Sequence, residues 1–251
     1  MHISYSEIKN WSKCPYYHKL TYIDGLKHFK GNLYTAFGSA LHTVCEKVDD
    51  LENSELVALF KDQFKNEVRA LEEHDEKFYG EMLVQGTKII PYIKTALADY
   101  FGDYKILSVE ENLYENIWVT TDEKYFKGYV DLVLQVGDTI HILDWKTTTR
   151  GWNDRKRGEN ITKYQLLLYK YYYGQKHGCD LNNIKVHFGL LNRTLGGKKR
   201  VELYEVESER NNLAEAINYM KNFLYNVKKE NFIKNRLSCR YCEFKDTEHC
   251  P

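Results

Sequence analysis

The segment between Tyr125 and Lys146 constrains this chain more than any other. Two runs rich in β-branched and aromatic residues, Tyr125 to Val136 and Thr139 to Lys146, flank Gly137-Asp138. That dipeptide specifies a two-residue hairpin loop. A loop of this kind pairs Val136 with Thr139, Gln135 with Ile140 and, further along, Asp131 with Asp144. Directly opposed residues share one face of a sheet. Lys146, two residues beyond Asp144, falls on the same face by strand alternation. Opposed carboxylates destabilise a sheet unless something compensates them. A divalent cation would do so, because hard cations take oxygen ligands. The plainer alternatives are that Lys146 alone neutralises the pair, or that the pair faces water.

The segments around this hairpin predict an α/β fold. Ser4 and Glu7 form a capping-box pattern ahead of Ile8 and Trp11. Pro15 is expected to end that helix near Cys14. Helical spacing predicts a second helix over 37–48, a third through Leu56, Phe60, Phe64, Val68 and Leu71, and a fourth through Ile89, Ile93, Leu97 and Phe101. A strand is predicted over 106–119 before the hairpin and a helix over 161–177 after it. Ile184, Val186, Phe188 and Leu190 then alternate as a strand. Gly196-Gly197 should turn the chain into a strand over 201–206, and Leu213, Ile217, Met220, Leu224 and Val227 mark a last helix. One domain is expected, with a mixed central sheet flanked by helices. Its parts are a helical N-terminal part (1–103), a sheet core (104–208) and a C-terminal helix with a cysteine-rich tail (209–251).

Composition excludes several classes. The 36 basic and 36 acidic residues balance, unlike a generally basic nucleic-acid packager. Mean hydropathy is −0.61 and no long apolar run occurs, so no membrane span is expected. The first residues lack the basic-then-apolar pattern of a secretion signal. With six cysteines in 251 residues, a disulfide scaffold is not expected. An intracellular, cytoplasmic protein is the expectation, of cellular or viral origin. The neutral total conceals asymmetry: residues 46–81 hold 12 acidic and 5 basic side chains, residues 147–201 hold 3 and 12. A basic half can attract polyanions.

Six short motifs stand in one order: Ser6-x-Ile8, Cys14-Pro15, Gly38-x3-His42, Gly128-Tyr-Val-Asp131, Asp144-Trp145-Lys146 and Gln165-x3-Tyr169. Together they resemble the PD-(D/E)XK nuclease superfamily, and within it the RecB-like exonuclease branch that includes CRISPR-associated adaptation nucleases. The resemblance implies that His42, Asp131 and Asp144, with the carbonyl of Trp145, bind Mg²⁺ or Mn²⁺. It implies that Lys146 positions the attacking water and stabilises developing charge, and that Gln165 and Tyr169 lie near the site and touch DNA. Carboxylate-held cations activate water and polarise phosphoryl oxygens, which fits these residue types. Glu110 or Glu111 could also point inward from the preceding strand.

Cys14, Cys239, Cys242 and Cys250 supply the four thiolates that zinc or an iron–sulfur cluster requires. The resemblance implies a 4Fe–4S cluster that fastens the chain ends together. Relatives commonly have five residues before the last cysteine, where this chain has seven, and zinc stays open as the alternative. Cys45 and Cys179 are expected to be ordinary buried thiols. Past the hairpin, Arg150, Trp152, Arg155, Lys156 and Arg157 suit phosphate contact and base stacking, with Lys198-Lys199-Arg200 a second basic cluster. The expected activity is metal-dependent hydrolysis of DNA from single-stranded ends. The alternative is a non-catalytic DNA-binding module in a recombination, repair or spacer-acquisition complex. No helicase-type phosphate loop occurs, so unwinding would need a helicase or recombination partner.

Overall fold

The computed structural model describes residues 2–26, 29–118, 123–194 and 199–251. The turn expected at Gly196-Gly197, together with Lys198 and Val119, lies outside them. A short strand β1 (His2–Ser4) leads into helix α1 (Tyr5–Lys13). The Ser4 side chain caps that helix by accepting from the Glu7 amide. The helix ends one residue before Cys14, and Pro15 opens the short α2 (Pro15–His18). The Glu7 side chain does not close a capping box. Its carboxylate instead meets the buried His18 ring, 2.8 Å away.

Helices α3 (Leu33–Glu46), α4 (Asn53–Arg69), α5 (Glu76–Ile89) and α6 (Ile93–Phe101) form one layer. The fourth helix expected from Ile89 through Phe101 begins only at Ile93: Ile89 ends α5, which the sequence does not announce, and a 3₁₀ turn at Ile90–Tyr92 joins the two. Phe37, Phe60 and Phe64 interlock at the centre of this layer. Strands β2 (Lys105–Asn116), β3 (Tyr125–Val136) and β4 (Thr139–Thr148) follow, then α7 (Asp154–Arg157) and α8 (Asn160–His177). The chain closes with β5 (Ile184–Asn192), β6 (Val201–Val206) and α9 (Arg210–Lys228).

These strands make one mixed sheet in the order β1-β3-β4-β5-β6, with β2 on the other edge of β3. The helical layer α3–α6 packs on one face through Leu132, Leu134, Leu143, Trp145 and Leu191. Helices α1, α8 and α9 cover the opposite face over Val130, Val133, Ile142, Phe188 and Leu190. No helix among the described residues is long and apolar enough to cross a membrane.

Candidate active site at the strand fork

The expected hairpin register holds from Val136↔Thr139 through Gln135↔Ile140 to Leu132↔Leu143, and there the pairing stops. The free edge of β3 is shared by two partners. Parallel β1 takes Tyr125–Lys127, and antiparallel β4 takes Leu132–Val136. Residues 128–131 lie between them with no strand partner on that edge, while β4 continues along β5 as far as Thr148. Asp131 and Asp144 therefore sit in a fork rather than in a closed ladder. The Asp131 carboxylate bridges the gap, accepting from the Trp145 amide at 2.6 Å.

The fork coincides with a break in alternation on both β2 and β3. Val109 and Leu132 pack under the α3–α6 layer, whereas Leu113, Phe126 and Val130 pack under α8. The switch occurs at Glu110, whose φ of 49° is unusual for a residue with a Cβ. Glu110 lies across from Asp131 and reaches the same spot as His42 of α3. One ligand atom from each of His42, Glu110 and Asp131 lies within 4.8 Å of the others, and His42 Nδ1 is 3.5 Å from Asp131 Oδ2. These are hard oxygen donors plus one imidazole, a set suited to a divalent cation. The sequence left Glu110 and Glu111 undecided. Glu111 instead pairs with Lys176 and His177 on the far side of the strand.

Asp144 stands next to this triad. It is 1% exposed, with Oδ1 accepting from Gln165 Nε2 at 2.8 Å and Oδ2 paired with Lys146 Nζ at 2.6 Å. Gln165 also donates to the Tyr169 hydroxyl at 3.1 Å. Gln165 and Tyr169 are 9% and 6% exposed, so Gln165 holds Asp144 from beneath, Tyr169 backs Gln165, and little of either side chain faces solvent. Close packing makes this possible. A Cβ at Gly128 would lie 2.7 Å from the Tyr169 ring, and one at Gly189 would lie 2.3 Å from the Trp145 ring. Glycine at these two places lets both rings lie flat on the sheet.

Burial and mutual charge set the protonation behaviour. The Asp131 carboxyl is raised well above the usual range by burial, then by the Asp144 charge, with Lys146 opposing. Glu110 is raised by burial and by the charges of Glu46 and Asp144. Burial lowers His42, which keeps the imidazole neutral and able to ligate. Such clustered, unrelieved carboxylates are what a bound cation would compensate. Lys9 of α1 was not anticipated from the sequence. Burial and the neighbouring charges of Lys146, Lys13 and Lys156 lower its ammonium to about 8. A helical lysine has no motif to mark it, and only the approach of α1 to the fork exposes its role.

The loop after β4 departs from expectation in part. Trp152 is half-buried, packed edge-on against Phe188 and near Tyr204, so part of its ring is taken up by the core. Arg157 is paired with Glu202, and Lys156 reaches Glu159 and Thr162. Arg150 and Arg155 are exposed.

The chain ends meet. Asn235 donates its amide to Cys14 Sγ at 3.3 Å and its side chain to the Lys13 carbonyl, and the Tyr16 hydroxyl donates to the His249 carbonyl. The Cys242 thiol is raised by burial, then by the Glu243 charge and by Cys239 and Cys14, with the Phe244 backbone opposing. Cys250 enters through a tight turn, its amide donating to the Thr247 carbonyl. All four thiols are half-buried and free. Cys45 is buried as expected, whereas Cys179 is only half-buried.

The sequence matches the PD-(D/E)XK nuclease superfamily over residues 2–250. The chain belongs to that superfamily. A PD-(D/E)XK nuclease core accounts for the mixed sheet, the fork and the acidic pair followed by lysine. The chain is also 33% identical over 72 residues, 29% of its length, to the RecBCD enzyme subunit RecB of Borreliella burgdorferi. It spans only about 6% of that much longer relative. A crystal structure from Eubacterium rectale, of a protein provisionally named an exonuclease, shares the fold. Its TM-score is 0.62 at 14% identity, covering 96% of this chain and 86% of that one.

Proposed function

We propose that this PD-(D/E)XK protein is a divalent-metal-dependent deoxyribonuclease that hydrolyses phosphodiester bonds from single-stranded ends. The observation that carries the reading is the convergence of His42, Glu110 and Asp131 within 4.8 Å beside the Asp144–Lys146 pair. Mg²⁺ or Mn²⁺ held there, with the Trp145 carbonyl alongside, would activate water and polarise a phosphoryl oxygen. The chain supplies the rest. Gln165 fixes Asp144, and Asp144 holds the Lys146 ammonium, which keeps further donors for a water or a phosphoryl oxygen. Lys146 then orients the attacking water and offsets charge on the pentacoordinate phosphorus. Lys9, Lys13 and Lys156 add positive potential on the α1 side, and exposed Arg150 and Arg155 extend it along the loop.

Cys14, Cys239, Cys242 and Cys250 are assigned to a 4Fe–4S cluster that staples the chain ends, with zinc as the alternative occupant. The likeness to a RecBCD subunit, in a chain without a helicase-type phosphate loop, supports a helicase or recombination partner. Digestion of end-labelled single- and double-stranded DNA with Mg²⁺ or Mn²⁺, each end blocked in turn, tests the activity. Metal-dependent loss of label from free single-stranded ends is expected. Binding without cleavage under every condition would leave a non-catalytic DNA-binding module instead.

A further inference from the structure

We propose that the open half of the sheet, presenting Tyr114, Tyr125, Lys127 and Tyr129, is a stacking track that leads single-stranded nucleic acid into the fork. The inference rests on the nuclease reading and adds the surface that would guide its substrate. Before the break at Glu110 and Asp131, β1, β2 and β3 alternate cleanly. Ile3, Leu113, Phe126 and Val130 face the α8 core. The residues between them, on the opposite face, pair as Tyr114↔Lys127, Asn112↔Tyr129, Asn116↔Tyr125 and His2↔Tyr125. Further along, that same face is buried under α3–α6 through Leu132 and Leu134. Here Tyr114 and Tyr129 remain 47% and 46% exposed.

The chemistry of the face favours bases and phosphates. The rings of Tyr114 and Tyr125 stack at 4.8 Å with planes 15° apart. Lys127 Nζ stands 5.9 Å from the Tyr129 ring centre, and the His2 ring lies 6.2 Å from Tyr114. Neither a carboxylate nor a Leu, Ile, Val or Met side chain appears among the outward residues 112, 114, 116, 125, 127 and 129. A protein partner of ordinary hydrophobicity would find no aliphatic anchor, whereas exposed rings beside a lysine are what single strands bind. Tyr129 precedes Asp131 by two residues on one strand. From Tyr125 to Asp131 the strand rises about 20 Å, room for several nucleotides ending at the fork.

The test is fluorescence anisotropy of labelled dT20 in EDTA, where no cleavage intervenes. Tyr114→Ala and Tyr129→Ala are each expected to weaken binding about fivefold or more, the loss of one base–aromatic stack. Tyr114→Phe, which keeps the ring, should bind as the wild type does. Unchanged affinity in the double alanine variant overturns the track, as does a Phe variant as weak as the Ala variant. Photocrosslinking of 5-iodouracil-substituted dT20 to the wild type reads the same contact without any substitution. Crosslinks to peptides holding Tyr114 or Tyr129 support the track, and crosslinks confined elsewhere overturn it, a protein-docking role then being the occupant to pursue. A wild type that binds through these rings but never cleaves would keep the track and sink the nuclease reading.

Discussion

Replacing Gln165 by Leu separates a residue that positions Asp144 from one that meets DNA. The side chain lies 2.8 Å from Asp144 Oδ1 and 3.1 Å from the Tyr169 hydroxyl, in a place water does not reach. Leucine keeps the approximate bulk and removes both bonds. A buried hydrogen bond to a charged acceptor is worth about 1.5–3 kcal/mol. At roughly 2–4 °C per kcal/mol for a chain of this size, the melting temperature should fall by about 3–12 °C. Asp144 would retain only Lys146, and the pair could swing out of line with the fork. Loss of a partner that orients a site residue typically costs about 10–100-fold, and that loss is expected in kcat. DNA affinity, measured in EDTA, should not change. Calorimetry, single-turnover cleavage and anisotropy on one preparation read all three quantities. Weakened binding with unchanged kcat and melting temperature would refute the reasoning, because Gln165 would then be touching DNA as the sequence motif implied.

Three other outcomes follow from the same geometry. Folding raises Asp131 and lowers His42. The metal-free protein should therefore lose stability as pH rises above the unfolded carboxyl value of about 3.9, and separately as pH falls below the unfolded imidazole value of about 6.5. A cation needs ionised Asp131 and neutral His42, so Mn²⁺ should raise the melting temperature more near pH 8 than near pH 5.5. An equal rise at both would contradict the ligand assignment. Serine at Cys14, Cys239, Cys242 or Cys250 should bleach anaerobically purified protein and open both chain ends to protease, while Cys45→Ser and Cys179→Ser should not. About four irons per chain with matching sulfide support the cluster, and one zinc without visible absorption contradicts it. Neutralising Arg150 and Arg155 should weaken DNA binding for all sequences and flatten its salt dependence by about 0.7–0.9 log units per lost phosphate contact. Unchanged slopes would mean these arginines lie off the path.

The hairpin was legible because its turn residues and its alternation are local, and its register held down to Leu132↔Leu143. What the hairpin does next was not legible. That β1 and β4 share one edge of β3 is a pairing across more than a hundred residues, and no local pattern announces it. The alternation break at Glu110 left no signal either, since its positive φ falls on a glutamate and not on the glycine that would have marked it. That is why the choice between Glu110 and Glu111 stayed open. Helix α5 was missed because Gly80 and Gly86 interrupt its apolar spacing, yet Met82 and Ile89 are fully buried. Trp152 and Gln165 have packing partners that no local pattern announces: the Trp152 ring meets Phe188, and the Gln165 amide meets Asp144. The meeting of the chain ends, where the Asn235 amide reaches Cys14, is a contact across more than two hundred residues that only the spacing of the cysteines hinted at.

The central claim is that the strand fork holds a divalent cation between α3 and β2–β3. Anomalous diffraction from crystals soaked in Mn²⁺ tests it most directly. A peak at about 2.0–2.6 Å from carboxylate oxygens, the range of hard-cation bonds, is predicted between His42, Glu110 and Asp131, with Asp144 and Lys146 adjacent. A fork without a peak, under a Mn²⁺ concentration at which the same protein cleaves DNA, would contradict the account.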